Sequence, residues 1–440
     1  MERYAMKRGT AVLVSFLFIT ALLVENASGA NWQNWRGPNR DGVTSEASGY
    51  ALGAWPLGMP IWKTGLNATG ESSPIVYGGR IYTMGYRDGK DYVYCLNLQT
   101  GDILWTQSYP SPPRGRFAHS NLDSYAEGPS STPDYDEQTG YLYTYSIDGY
   151  LNCWNTRKNG ERVWGANLSD IYHVQVRPDT GNVQNDYGCT TSPYVYGPWV
   201  IVEVGCKEGS LLAFDKLNGG NPPGTAVWRS QVDDPAGHTG GPVPMTVDGV
   251  PCLAVLTLYH LAIVRLDKGY VGRTYALFDY KATDDANLVS PAVWNNYAFL
   301  STHLGPGNDL VEITSNGAVK CQSGPHSEVG VPIFYNGMLY HTSGWLECWE
   351  MNSHTAKMLW RSDNFGVEGT GILTGDGKLI MQGNSKIELI DAVTGKTLAR
   401  TDGEPVRWIS PALSDGVLVC KNDKGELWAY SLRKNNKASK

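Results

Sequence analysis

The side chains that could do chemistry gather in a few stretches of this chain. Arg114, Arg116, His119, Asp123, Tyr125 and Glu127 lie within Thr106–Ser130, and His173, Arg177, Asp186 and Tyr187 within Gly165–Thr190. His238 stands near the end of Arg229–Thr239, and a fourth polar connection covers Lys281–Val289. Three shorter ones, Gln322–Val329, Arg361–Glu368 and Thr401–Ile409, carry His326, Glu328, Glu368, Arg407 and Trp408. Carboxylates such as Glu127, Asp186, Glu328 and Glu368 can share a cation, because Ca²⁺ takes several oxygen ligands. Sequence order does not set their separation. Other chemistries lack their residues. No His-Glu-x-x-His or Cys-x-x-Cys pair offers a zinc site, and the histidines are spread along the chain. No Gly-x-Ser-x-Gly elbow or phosphate-cradling loop occurs.

A repeated four-strand unit must position these stretches, and Val331–Trp360 displays it most fully. Pro332 opens a short apolar run that ends at Asn336-Gly337, a two-residue hairpin signal. Met338–Thr342 reads as the second strand, and Gly344 turns the chain again. Trp345–Glu350 alternates large and small residues, as a half-buried strand does. Thr355-Ala356-Lys357 marks a third turn, and Met358-Leu359-Trp360 leads the fourth strand. Four short antiparallel strands in about 40 residues make one propeller blade. One such sheet cannot bury both faces, so copies must stack beside it. The opening recurs at Pro74, Pro133, Pro193, Pro242, Pro291, Pro332 and Pro411, and at Gly371 without the proline. The spacings are 59, 60, 49, 49, 41, 39 and 40 residues. A tryptophan starts the outer strand at Trp105, Trp164, Trp228 and Trp360. These eight openings predict an all-β chain: an eight-bladed β-propeller of four-stranded antiparallel blades.

In such a ring every outer-to-inner connection emerges on one face, round the central channel. Arg116, Tyr125, Glu127, Asp186, His238, Glu328, Glu368, Arg407 and Trp408 are therefore expected at one mouth, where a rigid ring places binding function. Any one of them, taken alone, reads first as a solvated loop side chain. Their convergence marks the mouth.

The ends of the chain read differently. Lys7 and Arg8 precede an apolar core, Thr10–Val24, too short for a comfortable transmembrane span, and Ser28-Gly29-Ala30 suits a cleavage site. Residues 1–30 are thus expected to be a secretory signal, with a secreted or periplasmic product starting at Asn31. Its removal takes Lys and Arg from 36 to 33 and Asp and Glu from 43 to 41, a net charge of −8. That balance argues against nucleic acid and anionic membrane as partners. In the lead-in, 31–59, Trp32, Trp35 and Arg36 are expected to pack across the propeller as a clasp. Trp62 stands 12 residues before Pro74, as Trp360 stands 11 before Gly371. It reads as the outer-strand tryptophan of a blade whose other strands lie elsewhere. Pro411 has only three strands after it, ending near Leu432, and 433–440 form a polar tail. The N-terminal strand is therefore expected to complete the last blade and close a ring spanning 60–432.

Cysteines supply two further expectations. Cys95, Cys153 and Cys348 occupy the repeat position held elsewhere by Ala213 and Ala429, so they should be small, buried and inert. In the segment from Cys189 to Cys206, Gly197-Pro198 suits a two-residue turn. Pairing across it sets Cys189 opposite Cys206 on a non-hydrogen-bonded pair, with Cα atoms about 4.5 Å apart. Export supplies an oxidising compartment, so a disulfide is expected there.

The repeat resembles that of the quinoprotein-type (PQQ-like) β-propellers, best at Asp391-Ala392-Val393-Thr394-Gly395-Lys396 and Leu96-Asn97-Leu98-Gln99-Thr100-Gly101. The lead-in Trp32-x-x-Trp35-Arg36-Gly37-Pro38-x-Arg40-x-Gly42 resembles that of BamB-like secreted bacterial proteins. The likeness covers nearly all the mature chain and is specific for fold, weak for function. It implies one of two roles. The first is that of the outer-membrane-protein assembly factor, a lipoprotein scaffold without cofactor. The second is that of the pyrroloquinoline-quinone alcohol and sugar dehydrogenases, which hold quinone and Ca²⁺ in the channel. The sequence departs from both: no two cysteines are adjacent, no Cys-x-x-Cys-His occurs, and no lipobox cysteine is present. The expectation is a monomeric binding or scaffold protein taking a protein or small-molecule ligand at the loop face. No catalytic or metal-binding residue is assigned. A quinone-dependent oxidoreductase using PQQ and Ca²⁺ is the alternative, and glycan binding by exposed Tyr and Trp has no motif behind it.

Overall fold

Each opening motif starts a short inner strand. In the computed structural model, which describes residues 31–111, 128–174, 188–282, 286–303, 305–406 and 408–433, the inner strands are Ile75–Tyr77, Asp134–Asp136, Tyr194–Tyr196, Val243–Val247, Ala292–Trp294, Ile333–Tyr335, Thr370–Leu373 and Ala412–Ser414. Proline just before a strand gives up no ladder hydrogen bond, which is why it can recur there. In six of the blades three more strands follow the inner one, antiparallel and in chain order, while two follow it in blades six and eight, and the eight sheets form the blades of a propeller. We number the blades in that order.

Blade six hides its second turn. Its middle strand runs without a break over Met338–Asn352. Residues six apart in a straight strand lie roughly 20 Å from each other, yet His341 Nε2 is 3.0 Å from Glu347 Oε2. The chain therefore doubles back between them at Gly344, whose φ of 85° only glycine adopts freely. Blade eight is completed from the other end of the chain. Trp62–Gly65 pairs with Glu426–Ser431, in the register Trp62↔Ala429 to Gly65↔Glu426, and closes the ring.

The small position of the third strand and the tryptophan of the fourth turn out to be partners. Cys95 faces Trp105, Cys153 faces Trp164, Ala213 faces Trp228, Cys348 faces Trp360 and Ala429 faces Trp62. Each indole reaches the next blade and lies on a turn glycine there. A methyl group on Gly101 would sit 2.5 Å from Trp62, one on Gly160 2.6 Å from Trp105 and one on Gly395 2.5 Å from Trp360. Trp62 Nε1 donates to Leu98 O at 2.9 Å, and Trp164 Nε1 to Lys216 O at 3.1 Å. The cysteines beneath the rings are buried, and burial pushes the Cys95 and Cys348 thiols up to about 12. They are packing residues. The apolar core is accordingly a series of layers between neighbouring blades. One layer joins Ile201 and Ala213 of blade three to Leu253 and Val255 of blade four.

The lead-in forms the clasp, and more. Trp32 bridges to Val76 of blade one, and Gln33 O accepts from Tyr135 N of blade two. Arg36, 3 % exposed, donates to Pro332 O of blade six at 2.7 Å. Val43 bridges to Leu373 of blade seven, and Glu46 accepts from the Asp415 and Gly416 amides of blade eight. Arg40 goes deepest. It is fully buried, donates to the carbonyls of Pro193 and Pro242 at the starts of blades three and four, pairs with Asp134 of blade two, and stacks on Tyr194. The segment enters from the side of the first hairpin turns and fills the channel to the level where the inner strands begin.

Two expectations need correction. Outer strands run further than expected: Ile103–Pro110, Glu161–Asn167, Thr355–Gly366 and Thr397–Asp402 include residues assigned to connections. The long third strands, such as Lys90–Asn97, keep pairing them out to Lys90↔Pro110. No disulfide joins Cys189 and Cys206. The turn and register are as expected from Tyr196↔Trp199 to Tyr194↔Ile201, and there the ladder stops. Upstream backbone is claimed elsewhere: Ser192 N by Gly240 O of the connection into blade four, and Cys189 N by Ile147 O of blade two. Opposite them the strand bulges between Glu203 and Cys206. Cys206 Sγ donates to Gly209 O at 3.3 Å, and Cys189 Sγ accepts from Tyr145 Oη at 3.2 Å.

Candidate binding mouth

Strands alternate in direction, so the second-to-third-strand turns emerge on the same face as the outer-to-inner connections. Both sets build the mouth opposite the lead-in. Of the expected mouth residues, Arg116, Tyr125, Glu127, Asp186 and Arg407 lie outside the described residues. His238 is buried, with Nδ1 3.1 Å from Gly188 O, so it ties the connection into blade four to that into blade three. Trp408, at φ 53°, is half-buried in the connection into blade eight. Glu368 and Glu328 are also half-buried, and they belong to two separate groups.

The first group is a charge cluster where the ring closes. Glu71 stands in the connection into blade one and accepts from Ser130 Oγ at 3.1 Å. Burial pushes its carboxyl up to about 7; Ser130 and Lys421 oppose the shift, and Asp423 and Glu368 add to it. Lys421, in the second strand of blade eight, is fully buried and donates to Gly70 O. Burial pulls its amine down to about 7 against the pull of Glu71 and Asp423. A perturbed acid and base together in a mouth mark a functional candidate. A structural role is also visible for Lys421. In the same strand of other blades, Thr83, Thr342 and Gln382 donate to Ser72 O, Gly369 O and Ile409 O of the adjoining connection. Sequence reading missed Glu71 and Lys421 because one adjoins an opening motif and the other sits inside a strand.

The second group lies between blades five and six. His303, in the second-to-third-strand turn of blade five, meets His326 and Glu328 from the connection into blade six. One ligand atom from each falls within 4.8 Å of the other two. His303 N donates to Glu328 O at 2.9 Å, which fixes one loop on the other. His303 escaped the sequence reading because its loop was not among the outer-to-inner connections.

No site for the quinone and Ca²⁺ of the dehydrogenases is assigned among the described residues. The channel carries Arg40 with its ring of carbonyls, and the cluster of His303, His326 and Glu328 offers two nitrogens where Ca²⁺ takes oxygens. No catalytic step is derived through them.

The fold is that of the quinoprotein-type β-propellers. BamB from Moraxella catarrhalis superposes with a TM-score of 0.54 at 12 % identity, over 85 % of this chain and 99 % of that one. Quinohemoprotein alcohol dehydrogenase from Comamonas testosteroni gives 0.53 at 13 % identity, over 91 % and 80 %. The computationally designed Ika8 protein gives 0.56 at 11 % identity, over 85 % and 100 %. BamB, an alcohol dehydrogenase and a designed chain match about equally well, so the likeness certifies architecture and not activity. No protein-family model and no curated protein matches the sequence.

Proposed function

We propose that this protein is an exported propeller that binds a protein or small-molecule partner at the mouth opposite its lead-in, as a scaffold and not as an enzyme. The observation that carries this reading is the plug. One end of the channel is filled by the chain's own Trp32–Glu46, which leaves the loop face as the entrance. Export is supported by Lys7, Arg8, the apolar Thr10–Val24 and Ser28-Gly29-Ala30. Among the described residues no helix is long and apolar enough to cross a membrane. A periplasmic or secreted monomer is the form this reading takes.

The competing reading is a pyrroloquinoline-quinone oxidoreductase. Adding the quinone and Ca²⁺ to the purified protein separates the two. A scaffold gives no shift in quinone absorbance and no dye-linked alcohol oxidation. Turnover that depends on the quinone overturns the scaffold reading.

A further inference from the structure

We infer that His303, His326 and Glu328 form a binding site for a borderline transition-metal ion of the Zn²⁺ class at the mouth. The inference does not depend on the scaffold reading. Two imidazoles and one carboxylate are the donors that suit Zn²⁺ and its neighbours, and not Ca²⁺ or Mg²⁺.

The loops that carry them are built to hold this arrangement. His326 and Glu328 flank Ser327 in the connection into blade six, and both offer a donor atom to the cluster. Ser327 is fully buried, and its amide donates to Ser301 Oγ at 2.6 Å. Ser301 belongs to the loop of His303, whose own amide donates to Glu328 O at 2.9 Å. Gly324 N donates to Asn308 O at 2.8 Å, a third tie between the two loops. The backbone beneath all three donors is thus tied by three hydrogen bonds between the two loops, that of Ser327 buried.

A second layer orients one ligand. His326 Nδ1 lies 3.1 Å from Asn308 Oδ1, which is itself 2.8 Å from Ser301 Oγ. With Nδ1 donating to that carbonyl oxygen, Nε2 keeps its lone pair for an ion. Such an outer partner fixes the tautomer and raises the basicity of a ligating histidine. A tetrahedral ion with bonds of about 2.1 Å holds its ligands about 3.4 Å apart. The donors stand within 4.8 Å, so small side-chain rotations of the two exposed histidines bring them in. Three protein ligands leave a fourth position open to solvent, where water or a donor atom of a partner can bind.

The test uses the full chain, stripped with a chelator and titrated with Zn²⁺ by calorimetry, and with Co²⁺ by visible absorption. One equivalent of Zn²⁺ should bind at least tenfold more tightly than Ca²⁺, and Co²⁺ should give ligand-field bands. The double variant His303→Ala/His326→Ala should lose both signals while its metal-free melting temperature stays that of the parent, since both side chains are exposed. Asn308→Ala should weaken Zn²⁺ binding about 10–100-fold. Equal affinity for Ca²⁺ and Zn²⁺, or Zn²⁺ binding retained by the double variant, would overturn the assignment.

Discussion

Glu203 shows how single buried groups tune this ring. It is 1 % exposed and accepts one hydrogen bond, from Gly237 N at 3.0 Å. Burial pushes its carboxyl up from 4.5 to about 8, against that hydrogen bond and with help from Asp234. The folded protein therefore holds a proton that the unfolded chain releases. Stability from this group is full below about 4.5 and is lost as pH rises towards 8. Glu203→Gln keeps a neutral side chain of the same shape. It should stabilise the protein at pH 8 by on the order of 1–4 kcal/mol and change little at pH 4.5. Urea midpoints at the two pH values check this, and a variant no more stable than its parent at pH 8 contradicts it. Glu347 behaves oppositely. His341 holds its carboxyl down at about 2, so its contribution is present above about 4.5 and fades as pH falls towards 2.

At the scale of the element, the tryptophan that leaves one blade and lands on the next is the unit of cohesion. Trp105 is 7 % exposed and lies over Gly160, whose φ of 74° and crowded Cα both call for glycine. Trp105→Ala should cost roughly 3–5 kcal/mol, the range for a buried aromatic truncated in a core. Gly160→Ala should be destabilising in the same assay. Chemical denaturation reads both, and a Trp105→Ala variant within 1 kcal/mol of its parent would remove the docking role. The strand Trp62–Gly65 is the same device used to shut the ring. Deleting 31–66 takes away both clasp and closing strand, exposes the edge of Glu426–Ser431, and should give aggregated or unfolded protein. Size-exclusion chromatography decides it: a monomer that melts as the parent does would show that closure is dispensable.

Across the whole molecule the lead-in joins blades that are far apart in the chain. Arg40 is its deepest point, and burial lowers its pKa although Asp134 opposes the shift. Arg40→Ala leaves Asp134 enclosed without its counter-charge, and the Pro193 and Pro242 carbonyls lose a donor. Removing one partner of a buried pair typically costs about 3–5 kcal/mol. Spread over a ring of this size, that is a fall of roughly 3–6 °C in melting temperature. Calorimetry measures it, and unchanged melting would mean that the plug adds no stability.

The periodic features were legible in the sequence because they are local. Proline openings, turn glycines and the alternation of strands such as Trp345–Glu350 recur at a fixed spacing, and a sheet that cannot bury both faces alone implies its neighbours. Trp62 without its blade predicted closure for the same reason. Tertiary structure decided whatever depends on which blade claims a group. Cys189 and Cys206 have the right register on paper, yet Gly240 takes the Ser192 amide that their ladder needed. The mouth shows it again. His303 lies 23 residues from His326, and Glu71 lies 350 from Lys421. Each pair is brought together by ring geometry, which no local pattern encodes.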